Sequence, residues 1–462
     1  MGGIPLNIII VGGGGVGYAL ADNLNAEGHQ ITLIDTDAAR LNAALEKIDV
    51  QGVVGNGVSH EVLDEAGIQS ADLLIAVTDQ DEVNMLCCLM AKKHSGCQTI
   101  ARVRNPVYYR EIGFLKEELG LSMAINPEFA TAGEIFRLIQ IPNAMTVESF
   151  AKGRVNLIEI AIPEGSVLDN MSVMDFANKV SRTTLICMLE RRDTREVLIP
   201  SGGTVLHAGD SIYIITPPRE MNALFKKIGC PTAPSRNVMI VGGGRTGFYL
   251  AAQLLNSDSR VKIIEKNREV CEELAGLLPG AEIVNGDAVD RQLLLEEGIT
   301  GEDVFVSLTD LDEENILLAL YARKISKVRP ITKVSTSGFA EVTEELPVGS
   351  IINPKEITAY NILRYVREMA NSSASSNIES LYYLANRRIE ALEFYIRADS
   401  EVTDRPLSEL RPRLIPNLLI CCIYRNGKVI TPRGNDSIQK GDTVVIVTTA
   451  HGLRSINDIL RD

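Results

Sequence analysis

Apolar residues fall along this chain in two textures: short β-branched blocks, and intervening segments where they recur every three or four positions. Ile8, Ile9, Ile10 and Val11 form the first block, with no polar alternation, as in a parallel strand buried on both faces. Further strands are predicted at 31–35, 50–55, 72–78, 98–104 and 122–126, with helical patterns at 38–48, 61–66 and 82–93 between them. A longer helix is predicted over 128–141, where Phe129, Ala132, Ile135, Phe136 and Ile139 keep helical spacing and Pro142 ends the run. Strand and helix alternating at this interval build a parallel, doubly wound sheet covered on both faces.

From Asn143 the texture changes. Short alternating or β-branched runs at 155–162, 184–190, 196–199 and 211–216 predict a small α+β module with little room for a catalytic cleft. A Pro-rich linker is expected at 231–235, and then the chain begins again. Gly242, Gly244 and Gly247 lie 230 positions after Gly12, Gly14 and Gly17, and Glu265 lies 230 after Asp35. Thr309-Asp-Leu-Asp-Glu-Glu-Asn315 repeats Thr78-Asp-Gln-Asp-Glu-Val-Asn84, and Ile352-Asn-Pro354 repeats Ile125-Asn-Pro127. A polar joint at 371–377 leads to a second small module, whose Gly441-Asp442 strand matches Gly209-Asp210. The expected chain is thus two Rossmann-like doubly wound parallel sheets, each followed by a small α+β module. The boundaries are 1–141, 142–229, 235–370 and 378–462.

The glycines carry the candidate chemistry. Gly12, Gly14 and Gly17 have the G-x-G-x-x-G spacing after a strand and before a helix. The first allows a tight turn, the second a close approach to pyrophosphate, the third close packing of helix on strand. The loops to watch are therefore Gly12, Gly13, Gly14, Gly15, Val16 and Gly17, and Gly242, Gly243, Gly244, Arg245, Thr246 and Gly247. Asp35 and Glu265 close the next strand, where an acid either accepts ribose hydroxyls or caps its own turn; it also disfavours a 2′-phosphate. NAD(H), ATP or ADP is expected ahead of NADP. In such a sheet the ligand sits at the carboxyl ends of the strands, which adds Asn56, Val77 and Thr78 in the first half and Asp287, Leu308 and Thr309 in the second.

The loops differ where Gly15 faces Arg245. An arginine there either reaches an additional phosphate or points to solvent. The acids Asp79, Asp81 and Glu82, with Asp310, Asp312, Glu313 and Glu314, read as helix capping and dipole partners, with Thr78 or Asp79 as N-cap, ahead of a divalent metal site. No metal is expected.

Composition narrows the class. A length of 462 residues exceeds one core, and a net charge of −14 argues against nucleic acid or anionic lipid as the main partner. No apolar run reaches the ~20 residues of a membrane span, and the N-terminus lacks signal-peptide and myristoylation patterns, so a cytoplasmic protein is expected. Eight cysteines, without C-x-x-C, sit in apolar company and read as buried thiols.

The order of motifs resembles the TrkA family, cytosolic regulatory subunits of bacterial and archaeal potassium uptake systems built from paired RCK_N and RCK_C domains. The motifs that carry the resemblance are GGGGVG with Asp35, AVTDQDEVN, IARVRNP at 100–106, GGGRTG with Glu265, GDA at 286–288, SLTDLDEEN and the terminal GD strands. It implies a homotetramer whose Rossmann domains form a gating ring under a TrkH-like integral membrane potassium channel subunit. Related RCK proteins that bind ATP carry a similar loop arginine, so Arg245 against Gly15 predicts ATP/ADP or NAD(H) at site two and NAD(H) at site one. On this resemblance Arg102, and by repeat Lys333, lie near the nucleotide; a strand-end salt bridge is the alternative. One departure is Gly55-Asn56-Gly57, where the family often has a G-D-A turn as at Gly286-Asp287-Ala288.

The rival reading is an NAD-dependent oxidoreductase, which needs an acid or base beside the nicotinamide. The five histidines are scattered and none recurs between repeats. The single Y-x-x-x-K match, Tyr424 to Lys428, reads as a hairpin turn. No catalytic residue is expected.

Overall fold

The computed structural model describes residues 5–141, 144–151, 153–230, 235–336, 346–372, 378–385, 388–453 and 455–461. Pro142, most of the 231–235 linker and most of the 371–377 joint lie outside them.

The first repeat opens with β1 (Asn7–Val11), α1 (Gly15–Ala26), β2 (Gln30–Asp35), α2 (Ala38–Leu45), β3 (Gln51–Val54), α3 (His60–Glu65), β4 (Leu73–Ala76), α4 (Asp81–His94) and β5 (Gln98–Arg102). It continues through α5 (Pro106–Arg110), α6 (Ile112–Leu119), β6 (Met123–Ile125) and α7 (Pro127–Gln140). The six strands are parallel in the order β3-β2-β1-β4-β5-β6. The order reverses beside β1, which opens a crevice at the carboxyl ends of β1 and β4. Ile9, Val11, Leu74, Ala76, Cys87 and Ala101 are among the residues packing one face of this sheet. The strands and longer helices match the sequence expectation, with ends differing by at most three residues. Helices α5 and α6 were not expected: neither contains a fully buried residue, so their apolar periodicity is weak.

The first small module contains β7 (Ala144–Phe150), β8 (Val155–Ala161), β9 (Leu185–Glu190), β10 (Val197–Leu198), β11 (Ser211–Thr216) and α8 (Pro218–Lys227). Its antiparallel sheet runs β10-β9-β11-β8-β7, and the edge strand β7 is one more than the sequence indicated.

The second repeat follows the same plan: β12 (Asn237–Val241), α9 (Arg245–Leu255), β13 (Arg260–Glu265), α10 (Arg268–Leu277), β14 (Glu282–Asn285), α11 (Arg291–Glu296), β15 (Val304–Ser307), α12 (Asp312–Ile325), β16 (Arg329–Lys333), β17 (Ser350–Ile352) and α13 (Pro354–Ser372). Its parallel order, β14-β13-β12-β15-β16-β17, matches the first. Strands β18 (Ile378–Leu384), β19 (Ile389–Tyr395), β20 (Leu418–Arg425), β21 (Lys428–Ile430) and β22 (Thr443–Thr448) form the last sheet, β18-β19-β22-β20-β21, again the same topology as its counterpart.

Like gathers with like in three dimensions. One compact unit contains both parallel sheets, the other both antiparallel sheets, and the division falls within α7 and within α13. In the antiparallel unit the two sheets share one core: Phe150, Leu157, Cys187 and Tyr213 of the first pack with Ala391, Cys421 and Val445 of the second. Each parallel sheet in the other unit has its own core, formed in the second repeat by Met239, Val241, Phe305 and Leu318 among others.

Candidate nucleotide-binding sites

Both glycine loops turn directly from a buried strand into a helix. Gly12 (φ +106°) and Gly242 (φ +102°) adopt a backbone that L side chains avoid. A Cβ on Gly17 would stand 1.8 Å from the Gly12 carbonyl, and on Gly247 2.3 Å from that of Gly242. These glycines let the helix start against the strand. Gly14 and Gly244 differ: each is an extended N-cap with no side-chain cap, and a Cβ there meets nothing within 4 Å. The first-turn N–H groups of α1 and α9 therefore face open space suited to an anion.

Asp35 is 6% exposed and braces its loop: Oδ2 accepts the Gly13 N–H at 2.6 Å and Oδ1 the Asp37 N–H at 2.8 Å. Glu265 does the same, taking the Gly243 N–H at 2.8 Å and the Asn267 N–H at 2.7 Å. The turn bond is present, as the capping alternative required, and a second bond fixes the loop. A carboxylate has about four acceptor sites, so capacity remains for ribose hydroxyls.

The ends of β4 and β15 are fixed by residues whose role was not read from the sequence. Asn84, fully buried on α4, accepts from the Thr78 N–H (2.8 Å) and hydroxyl (2.7 Å) and donates to the Thr78 and Arg102 carbonyls (both 3.0 Å). Asn315 holds Thr309 and the Lys333 carbonyl in the same way. The repetition of TDxDExN was the available signal. The expected N-caps are corrected: Gln80 and Leu311 occupy those positions, with no side-chain cap. Asp81 instead accepts the Arg104 and Asn105 N–H groups, and Asp312 those of Ser335 and Thr336. Asp81, Glu82, Asp312, Glu313 and Glu314 do lie in the first helical turn, where the dipole favours acids.

Arg102 donates to the Thr78 carbonyl and to Asp79 (3.0 Å), the latter 91% exposed. Its Nε is buried without a protein partner. Burial, then neighbouring Arg104, pulls the guanidinium pKa down, while Asp79 opposes the shift. Lys333 sits 3.5 Å from the Leu308 carbonyl and 3.9 Å from Asp310, and burial lowers its pKa. The strand-end salt bridge therefore exists in both repeats, beside the loop residues Val77, Thr78, Leu308 and Thr309. The Asn56 departure keeps its geometry: Asn56 Oδ1 accepts the Val58 N–H at 3.1 Å as Asp287 accepts that of Val289 at 2.9 Å. Gly57 is required by space, since its Cβ would stand 2.4 Å from Val11 Cγ1.

The repeats meet beside the loops. Asn126 donates to the Tyr249 hydroxyl at 3.1 Å, and Tyr249 packs edge-on to Phe129. Arg245 is exposed at the start of α9 and makes no ion pair among the described residues. At the first loop, the flexible end of Lys355 lies beside Gly15.

All eight cysteines are buried free thiols, and burial pushes Cys87 and Cys422 up to about 12. Tyr424 and Lys428 flank a hairpin whose Asn426 and Gly427 both have positive φ, as the turn required. Two of the scattered histidines converge: His60 and His94 contact the same carboxylate, Asp64, at 3.0 and 2.8 Å. A groove of about 510 Å³ lined by Asn7, His29, Gln30 and Asp49 lies at the amino ends of β1–β3, away from the loops. Among the described residues no helix is long and apolar enough to cross a membrane.

Comparison with known proteins agrees with this arrangement. The TrkA-N domain matches residues 8–127 and 238–354, and the TrkA-C domain 157–229 and 391–461. The Trk system potassium uptake protein TrkA homolog of Archaeoglobus fulgidus is 33% identical over 99% of this chain and 100% of its own length. The Trk system potassium uptake protein TrkA of Haemophilus influenzae is 33% identical over 96% of this chain and 95% of its own. Among solved structures, the GsuK channel bound to NAD is similar in fold, with a TM-score of 0.62 at 19% identity, covering 96% of this chain and 77% of that one. The GsuK RCK domain gives the same score at 18% identity, over 96% and 93%. The chain belongs to the TrkA family, the regulatory and non-enzymatic proteins of Trk potassium uptake systems.

Proposed function

We propose that this protein senses nucleotides and thereby gates a TrkH-like integral membrane potassium channel subunit. The carrying observation is the pair of glycine loops, each braced by an acid at the end of the next strand. In this reading NAD(H) occupies site one, and ATP/ADP or NAD(H) site two. Phosphates rest on Gly12–Gly17 and Gly242–Gly247, with Arg245 taking an additional phosphate. Asp35 and Glu265 accept ribose hydroxyls. Asn56, Val77, Thr78 and Arg102, with Asp287, Leu308, Thr309 and Lys333, line the remainder. The functional modules are 1–141, 142–229, 235–370 and 378–462.

Four chains form a ring on the cytosolic face of the membrane, held there by the channel subunit. A ligand shifts this ring only by its differential affinity for two conformations. Taking a gate from mostly closed to mostly open needs ~5 kcal/mol, which several sites per ring can share. The two unequal sites make the response depend on which nucleotide is present.

The test has two parts. Native mass spectrometry of the purified protein identifies the bound nucleotides. Potassium flux through the reconstituted channel subunit is then followed while NADH, NAD, ATP and ADP are titrated. A nucleotide-dependent flux that disappears in the Gly14→Asp/Gly244→Asp protein is expected. Flux indifferent to all four nucleotides overturns the reading.

A further inference from the structure

We propose that site one is a composite phosphate site, in which the first Rossmann domain supplies the loop N–H groups and Lys355 of the second supplies the cation. This rests on the nucleotide-binding reading above and assigns to it a residue from the other repeat. A Cβ on Gly15 would stand 3.1 Å from Lys355 Cε and 3.4 Å from Nζ. Gly15 is the first residue of α1, its φ lies outside the left-handed region, and it is exposed. Backbone conformation therefore does not require glycine here. What the missing side chain provides is room for the lysine. Lys355 is half-buried at the start of α13 and forms no ion pair among the described residues, so its ammonium is available to an anion at the loop.

The repeat sharpens the assignment. The residue equivalent to Gly15 is Arg245, and the residue equivalent to Lys355, one after the Pro of Ile-Asn-Pro, is Glu128. Glu128 belongs to the first repeat but acts electrostatically on Tyr249 and Lys333 of the second. Loop two thus has its own cation, and the position equivalent to Lys355 holds an acid that pairs with Arg104 of its own repeat at 4.0 Å. Loop one, Gly12–Gly17, contains no cation, Arg40 of the same repeat being held at Asp35 (3.5 Å), and it receives one from the opposite repeat. A pyrophosphate on loop one is consequently held by both Rossmann domains, whereas the arginine at loop two acts from within its own domain. Site one then reports ligand occupancy directly to the relation between the two repeats.

The test uses the full-length protein carrying Gly244→Asp, so that calorimetric titration of ADP and NADH reports loop one. Lys355→Met keeps the length of the side chain and removes its charge; it is expected to weaken both ligands about tenfold, the scale of one charge-assisted hydrogen bond. Lys355→Arg is expected to bind within about threefold of the Gly244→Asp parent. Adding Gly15→Arg to Lys355→Met should recover affinity by supplying the cation from the loop itself. Unchanged thermal unfolding without nucleotide shows that each variant folds. Binding indifferent to Lys355→Met, or not recovered by Gly15→Arg, overturns this inference alone. Absence of any binding in the Gly244→Asp parent overturns the nucleotide reading of loop one and this inference with it.

Discussion

The Asp35 carboxylate accepts the Gly13 N–H at 2.6 Å, so the acid that ends β2 also holds the glycine loop in shape. Its second oxygen takes the Asp37 N–H, which ties the loop to the turn that follows β2. Replacing Asp35 by Ala leaves both donors without this partner, at a cost of about 2 kcal/mol of stability. NADH affinity at loop one should fall at least tenfold, by calorimetry in the Gly244→Asp protein. Affinity equal to that of the Asp35 protein would remove this residue from the site.

The glycines of one loop should separate by role. Gly17→Ala drives a Cβ to 1.8 Å from a backbone carbonyl that has no room to yield, so a loss of about 3 kcal/mol is expected in urea unfolding. Gly14→Asp meets no neighbour and supplies a favourable N-cap, so stability should hold or rise by up to ~1 kcal/mol. The new carboxylate nevertheless stands where phosphate would, and nucleotide binding at loop one should vanish. A destabilised Gly14→Asp protein would contradict the open space seen there.

Asn84 makes four hydrogen bonds from a fully buried position. Its replacement by Ala strands the Thr78 N–H and the Arg102 carbonyl, for about 3 kcal/mol. Asn84→Asp keeps the acceptor but turns a carboxylate oxygen toward the buried Thr78 and Arg102 carbonyls, and should cost at least as much. The first unfolding transition reports this, since a chain of several domains need not unfold in one step. Asn315→Ala should act alike in the second repeat.

Arg245 is exposed and forms no ion pair among the described residues, so Arg245→Ala should leave stability within ~0.5 kcal/mol. ATP affinity at loop two is expected to fall about tenfold and NADH affinity much less, because only ATP offers a third phosphate. Equal ATP affinity before and after the substitution would mean that the arginine simply faces solvent.

Glu159 lies buried in the first antiparallel sheet, and burial pushes its carboxyl up to about 7, against the lowering effect of hydrogen bonds from Tyr213 and Thr146. The folded protein therefore holds a proton that the unfolded chain releases near its ordinary value of 4.5. The associated stability is complete below pH 4.5 and is lost as pH rises through 7. Glu159→Gln should flatten this fall, by a few kcal/mol between those limits. Parallel pH profiles for the two proteins would show that Glu159 does not hold the proton.

By itself the sequence determined what is encoded locally or by repetition. The β-branched block before Gly12, the G-x-G-x-x-G spacing and the alternation of periods dictate strand, turn and helix, because neighbouring residues alone specify those shapes. The 230-residue recurrence doubled that evidence and fixed Asp35 and Glu265 as equivalent. Helices α5 and α6 escaped because they bury no residue fully, and β7 because an edge strand carries little pattern. Only tertiary structure decided that parallel sheets gather with each other and antiparallel sheets with each other, since apolar faces record burial without naming their partner. It also decided that Asp81 binds the chain after β5 and does not cap α4. The approach of Lys355 to Gly15 joins residues in different repeats, which no local period records, and it gives two similar loops different surroundings.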